Sequence, residues 1–165
     1  FPYTTLFRSS LANSDYSVIV VERRLSNKSA NYFIAGNGTT VPNNILVLGY
    51  RIDTAVTFAQ YTNDYDIIID AFNRPIAKIH TFRFSPSLGR NYYANGAGPQ
   101  ILNDTGQAIT NQGLIAYDNA QIARYKSNIY YYGDIAEIII YNKYLKDSER
   151  KDIEQYLSRK WGIVI

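Results

Sequence analysis

Short apolar runs separated by turn residues recur along most of the chain, and their spacing is that of β-strands. Residues 16–22 (YSVIVVE) form a β-branched run, and 32–35 stops at Gly36-Asn37-Gly38, a hairpin-type turn signal. Runs 45–50 and 54–60 flank Arg51-Ile52-Asp53, and 65–72 follows a turn at Thr62-Asn63-Asp64. Alternation is clearest over 76–84: Ile76, Lys78, His80, Phe82 and Phe84 point one way, and Ala77, Ile79, Thr81 and Arg83 the other. Run 90–94 ends at Asn95-Gly96, a second tight-turn signal, and the Gly-, Asn-, Asp- and Thr-rich stretch 98–112 reads as a loop. Runs 113–117 and 121–125 follow, and 129–141 closes the β region as a strand broken or bulged at Gly133. Many short strands without interleaved helices predict an all-β sandwich or barrel.

The period changes once. Ile153, Tyr156, Leu157 and Trp161 recur at spacings of three and four, the stripe of an amphipathic helix. Asp147, Ser148 and Glu149 supply capping oxygens and negative charge at its start. Arg159 and Lys160 complement its other end, where Gly162 suits the left-handed C′ position. The stripe is expected to pack across the sandwich, with Trp161 as its largest contact.

A length of 165 residues suits one domain, and 46% apolar with 19% charged residues is ordinary globular composition. The 16 Tyr reinforce the strand reading. The absence of Cys removes a disulfide framework, a thiolate zinc site and a Cys nucleophile together. A net charge of +3 is too small to argue for nucleic acid. No apolar run approaches the roughly 18 residues a membrane helix needs, so no membrane insertion is expected.

The chain has no Met, and residues 1–9 (FPYTTLFRS) resemble the conceptual translation of a common short-read sequencing adapter at every position. Both features are expected of a reading frame cut at its 5′ end and fused to adapter sequence. The native domain is then expected over 10–165, truncated at its N-terminus, with 1–9 adding nothing to the fold. A genuine N-terminal strand is the alternative.

The segment from Gly133 through Ile138-Ile139-Ile140-Tyr141-Asn142 to Leu145 resembles the closing strand of laminin-G-like jelly rolls. Residues 149–162 (ERKDIEQYLSRKWG) resemble the helix that follows it in a bacterial, phage and environmental branch of that family. Ile122-Ala123-Arg124-Tyr125 is similar to the family's Ile-Gly-Arg-Tyr step, and Tyr93-Ala94-Asn95-Gly96 to its Tyr-x-Asn-Gly hairpin. The resemblance implies a concanavalin A-like jelly-roll β-sandwich with one short C-terminal α-helix, serving recognition and not catalysis. There are departures. Lys146 replaces the usual Ser, so Asp147 or Ser148 must cap the helix; Tyr144 replaces a small residue; and the family's opening strand is not visible before Tyr16. Residues 135–141 are apolar on both faces apart from Glu137, as expected of a covered central strand.

Candidate chemistry is sparse. Glu137 in that strand reads as a buried ion pair with Arg124, in preference to a catalytic acid, because no second carboxylate shares its register. Asp64-Tyr65-Asp66 puts two Asp on one face; turn chemistry is the main reading and a weak Ca²⁺ site the minor one. His80, the sole His, has no second His or Cys for a metal cluster and reads as structural.

Tyr and Asn richness suits sugars, because Tyr rings stack on sugar C–H faces while amides and carboxylates bond hydroxyls. Candidate ligand residues in or beside turns are Tyr61, Asn63, Asp64 and Tyr65, and secondly Tyr92, Tyr93 and Asn95. The expected function is a non-catalytic glycan-binding or adhesive module without a cofactor, part of a larger extracellular, cell-surface or virion protein. Its expected partners are a glycan or surface polysaccharide and the other domains of that protein. A purely structural surface domain is the alternative.

Overall fold

A computed structural model describes residues 11–36, 40–99, 112–115 and 120–165. Its strands are β1 (Tyr16–Arg24), β2 (Asn31–Ala35), β3 (Val47–Ile52), β4 (Ala55–Ala59), β5 (Asp64–Ile68), β6 (Ala77–Ser85), β7 (Gly89–Ala94), β8 (Gln121–Ile122), β9 (Arg124–Tyr125), β10 (Ile129–Tyr130) and β11 (Gly133–Tyr141). One helix, α1 (Asp147–Trp161), follows. It is shorter than a membrane-crossing helix. Residues 1–9, Asn37 and Gly38 of the first turn signal, most of the 98–112 loop and the latter part of run 113–117 lie outside the described residues.

Strands in the order β11-β1-β6-β7 make one sheet and β5-β4-β3-β2-β8 the other, with β9 and β10 as a short ribbon. Every ladder is antiparallel. The sheets face each other over a core of Tyr16, Val18, Val20, Phe82, Phe84 and Tyr92 from the first, and Phe33, Leu48, Tyr50, Val56, Phe58 and Ile67 from the second. This is the jelly-roll sandwich expected. The period-two pattern of 76–84 is realised: His80, Phe82 and Phe84 face this core, while Ile79 packs on the opposite face with Ile19, Val21, Leu145 and Leu157. Asn95 and Gly96, at φ of 47° and 78°, close the β7 turn as their sequence signals.

Two expectations about the closing strand are corrected. β11 is an edge strand, not a central one. Its two apolar faces have a different cause: Ile135, Ile138 and Ile140 meet the inter-sheet core, while Ile139 and Tyr141 lie under the helix layer. Glu137 is not paired with Arg124. It accepts from Lys160 Nζ and Trp161 Nε1, both at 2.9 Å, whereas Arg124 bonds the carbonyls of Lys126 and Ser127.

The helix docks by a face offset from its apolar stripe: Ile153 and Leu157 pack inward as expected, but Tyr156 and Trp161 do not. Arg150, Glu154 and Leu157 are its buried residues, whereas Tyr156 is 51% and Trp161 41% exposed. The reason is polar complementarity with the outer face of the four-stranded sheet. Thr81 donates to Glu154 at 2.6 Å, Arg150 pairs with Glu154, and Arg83 bonds the Leu145 carbonyl and Asp147 at 2.8 and 2.7 Å. Asp147 is thus engaged by Arg83 rather than capping. Lys146 is the N-cap residue, and Glu149 reaches back to its N–H at 2.8 Å. Gly162 takes the left-handed position, as expected.

A second polar group lies between the sheets. The Glu22 carboxylate, 1% exposed, accepts from Tyr50 Oη at 2.7 Å, from Tyr131 Oη and from His80 Nε2 at 2.8 Å. Tyr92 Oη lies 2.7 Å from His80 Nδ1. Both ring nitrogens are thereby partnered, Nε2 by Glu22 and Nδ1 by Tyr92. Burial by itself raises the Glu22 carboxyl, but the hydrogen bonds and the facing imidazole outweigh it and hold the group below its ordinary value.

Leu157→Ala is expected to cost about 2–5 kcal/mol and Trp161→Ala about 1 kcal/mol or less, read as shifts in the denaturant midpoint. Equal losses would overturn the assignment of the docking face. Because Glu22 titrates lower in the folded state than its ordinary 4.5, its contribution is present above that pH and is lost as pH falls through the folded value. Glu22→Gln is therefore expected to destabilise the fold at neutral pH by about 1–3 kcal/mol, seen as a lower melting temperature. It should also flatten the fall in melting temperature below pH 4.5; an unchanged acid slope would contradict this account.

Candidate functional site

The outer face of the five-stranded sheet carries a cleft of about 250 Å³. Its floor is the apolar patch of Val47 and Ala59, and its walls are Tyr32, Tyr61, Thr62 and Tyr125. Strand pleat places these groups together: Tyr32 on β2, Val47 on β3 and Ala59 on β4 all point away from the core. Tyr32 and Tyr125 meet edge to face, with centroids 5.6 Å apart and planes at 87°.

A bulge in β2 sets the first of these rings. Tyr32 pairs with Gly49 and Ile34 with Leu48, so Phe33 is the extra residue and turns into the core. Gly49 permits the close approach; a Cβ there would lie 2.5 Å from the Tyr32 Cα. Tyr61 is set by strain. Tyr61 and Thr62 form the β4–β5 turn in consecutive left-handed conformations, at φ of 48° and 56°. For a β-branched Thr this conformation is costly and persists only when its surroundings enforce it. Those surroundings are Asn43, whose N–H donates to the Tyr61 carbonyl at 3.0 Å, and the buried Arg90, which donates to the Asn63 carbonyl at 2.7 Å.

Charge enters from one side. Arg51 bonds Asp64 at 2.6 Å, Asp66 at 2.7 Å and Thr57 at 3.1 Å. Asp64 and Asp66 thus stand on β5 as an ion-paired strand face, where a turn is expected from the sequence, and Arg51 fills the space between them. Burial raises the Tyr32 hydroxyl, with the Arg51 charge opposing it, so Tyr32 stays a neutral donor and acceptor at neutral pH.

The sequence candidates divide. Tyr61 and Asp64 line the cleft. Asn63 is buried behind it and bonds Asn43 at 2.7 Å. Tyr65 packs edge-on against Phe58 in the core. Tyr92 is 1% exposed and tied to His80, and Tyr93 lies beneath Arg150 of the helix, 3.8 Å from ring to guanidinium. The Tyr92 and Tyr93 rings are therefore packing groups and present no face to a ligand. Asn95 bonds the Ile79 backbone at 2.8 Å, at the end of the sandwich away from the cleft. Tyr32, Arg51, Thr62 and Tyr125 are cleft residues that turn-based reasoning missed. Thr62 stands in the predicted turn itself; for Tyr32, Arg51 and Tyr125 the available signal was position on the strands, not proximity to a turn.

No protein-family model matches the chain, and no curated protein matches it. Solved structures do. Domain 4 of AbnA, a GH43 extracellular arabinanase from Geobacillus stearothermophilus, in complex with arabinotriose, aligns with a TM-score of 0.64 at 17% identity, covering 88% of this chain and 68% of that one. The Ruminococcus gnavus IT-sialidase CBM40 bound to α2,3 sialyllactose aligns at 0.62 with 15% identity, over 87% and 83%. Trypanosoma rangeli sialidase in complex with sialic acid aligns at 0.61 with 13% identity, over 90% of this chain and 24% of that one. At these identities the likeness is one of fold alone, a β-sandwich of two antiparallel sheets.

Proposed function

We propose that this chain is a non-catalytic glycan-binding module whose ligand lies on the outer face of the five-stranded sheet, between Tyr32, Tyr61 and Tyr125. One observation carries the reading: three Tyr rings surround an apolar floor, with the Thr62 and Tyr hydroxyls and the Arg51–Asp64 ion pair at its edge. That combination matches a sugar ring, which offers a C–H face for stacking and a rim of hydroxyls. The strained Tyr61-Thr62 turn supports it, since such strain clusters at ligand sites. Asp64 and Asp66 share one guanidinium, so the cleft offers no free acid and base to flank a glycosidic bond. The laminin-G-like pattern of the closing strand and helix supports a place in a larger extracellular, cell-surface or virion protein, acting through adhesion.

The cleft is shallow, so affinity for one site is expected in the millimolar to micromolar range, with useful adhesion arising from several copies. Glycan-array screening with the chain displayed multivalently, followed by titration calorimetry on the hits, tests this. Tyr61→Ala and Tyr125→Ala are each expected to weaken binding about tenfold or more without unfolding the domain. No binding across a broad array, or wild-type affinity in both variants, would replace this reading with a purely structural surface domain.

A further inference from the structure

The inner face of the four-stranded sheet ends in charge. Beyond Val18 and Val20, the inward positions of β1 are Glu22 and Arg24, and Lys78 pairs with Glu22 in register on β6. The irregular connection from β5 to β6 crosses this end of the sandwich and encloses a cleft of about 660 Å³. Arg24, Tyr50 and Lys78 form its base, while Phe72, Arg74 and Asn95 stand around it. It shares no lining residue with the outer-face cleft.

Two cations here are held in different states. Arg24 is fixed: it bonds the Asp53 carbonyl at 3.0 Å and sits 4.1 Å over the Tyr50 ring and 5.0 Å from the Phe72 ring. The Asp53 carboxylate also accepts from the Phe72 N–H at 3.0 Å and lies 3.4 Å from the guanidinium, so the wall and the guanidinium are pinned by one carboxylate. Lys78 is not fixed. Among the described residues its ammonium has no hydrogen bond or salt bridge, although it is half-buried. Its desolvation, the largest influence, lowers its pKa against the opposing charges of Glu22 and Asp70. A partly desolvated cation without an acceptor is costly, and an anion entering the cleft would supply one. Among the described residues Asp70 is the one carboxylate on the lining, against Arg24, Arg74 and Lys78.

We propose that this end cleft is a second binding site that takes the carboxylate of an acidic sugar, a uronate, with Lys78 and Arg74 on the carboxylate and the Phe72 ring against the sugar. A carboxylate is planar and suits the guanidinium of Arg74; the Asn73 and Asn95 amides beside it suit hydroxyls. The sugar part of the assignment rests on the reading of the chain as a glycan module; the anion part does not.

The test is a nitrogen-15 amide NMR titration of the full chain with galacturonate and glucuronate, with galactose and glucose as neutral controls and galactose 6-sulfate as the alternative anion. Uronates are expected to shift amides around Arg24, Phe72, Lys78 and Asn95 with millimolar affinity, and neutral sugars to leave them unmoved. Lys78→Gln and, at the exposed rim, Arg74→Gln are each expected to weaken uronate binding at least fivefold, whereas Tyr125→Ala on the outer face leaves it unchanged. Uronates without effect at these amides, or wild-type affinity in both cleft variants, overturns the proposal; equal affinity for the sulfate overturns its restriction to carboxylates. Uronate binding here with no glycan on the outer face would sink the primary reading and leave this one standing, and the converse result would do the reverse.

Discussion

Burying the Glu22 carboxylate between two sheets is the constraint around which this sandwich is arranged. An isolated carboxylate in such a place would cost many kcal/mol or take up a proton. Here its acceptors are filled from both sheets and from the segment joining β10 to β11. Tyr50 reaches from β3, His80 from the neighbouring β6, and Tyr131 from the loop. His80 then requires Tyr92 on β7 to complete its second nitrogen. Four elements must therefore agree in register before the charge is satisfied, and a one-residue slip of any strand would send its member to the wrong face. Phe33 stacks near His80, at 5.2 Å between ring centroids, so the polar cluster is embedded in the aromatic core and not set beside it.

The same logic governs the outer layer. The sheet surface beneath the helix presents Ser17, Thr81 and Arg83 beside Ile19, Val21 and Ile79. A helix that offered apolar groups alone would leave those polar atoms dry and unpaired. Arg150 and Glu154 answer them, and Leu157 with Leu145 and Ile163 fills the apolar remainder. Tyr156 and Trp161 are left at the edge, where Trp161 and Lys160 bind Glu137 of the edge strand.

This explains which parts of the molecule were legible in the sequence. Strand positions followed from short apolar runs bounded by turn residues, with clear period-two alternation only in β6, because the strands meet a continuous apolar core. The β7 turn followed from Asn95-Gly96 and the helix end from Gly162, since both are fixed by local conformation. The helix face was read correctly at Ile153 and Leu157 but not at Tyr156 and Trp161, because an apolar stripe says nothing about polar groups waiting on the surface opposite. Glu22 escaped notice for a similar reason: one acid at the end of YSVIVVE looks like a solvent-facing terminus, and its partners lie far away in the chain. The candidate site was half visible. Tyr61 and Asp64 sit near a turn, but Tyr32, Arg51 and Tyr125 come together only through strand order, which no local pattern encodes. Tyr92 and Tyr93, adjacent to an equally good turn signal, were drawn inward by His80 and by the helix.

The pairing of β1 has a kinetic side. This strand is central in its sheet, flanked by β6 and by β11, and the hydrogen bond from the Leu145 N–H to Ser17 Oγ closes a separation of 128 residues. The edge facing β6 can close once residue 85 is present, but the edge facing β11 stays open until residue 141 arrives, so one side of its run of Val and Ile has to wait, sticky and unpaired. Topologies dominated by such remote closures fold in milliseconds to seconds. During that interval the first strand is the part of the chain most open to association with another copy.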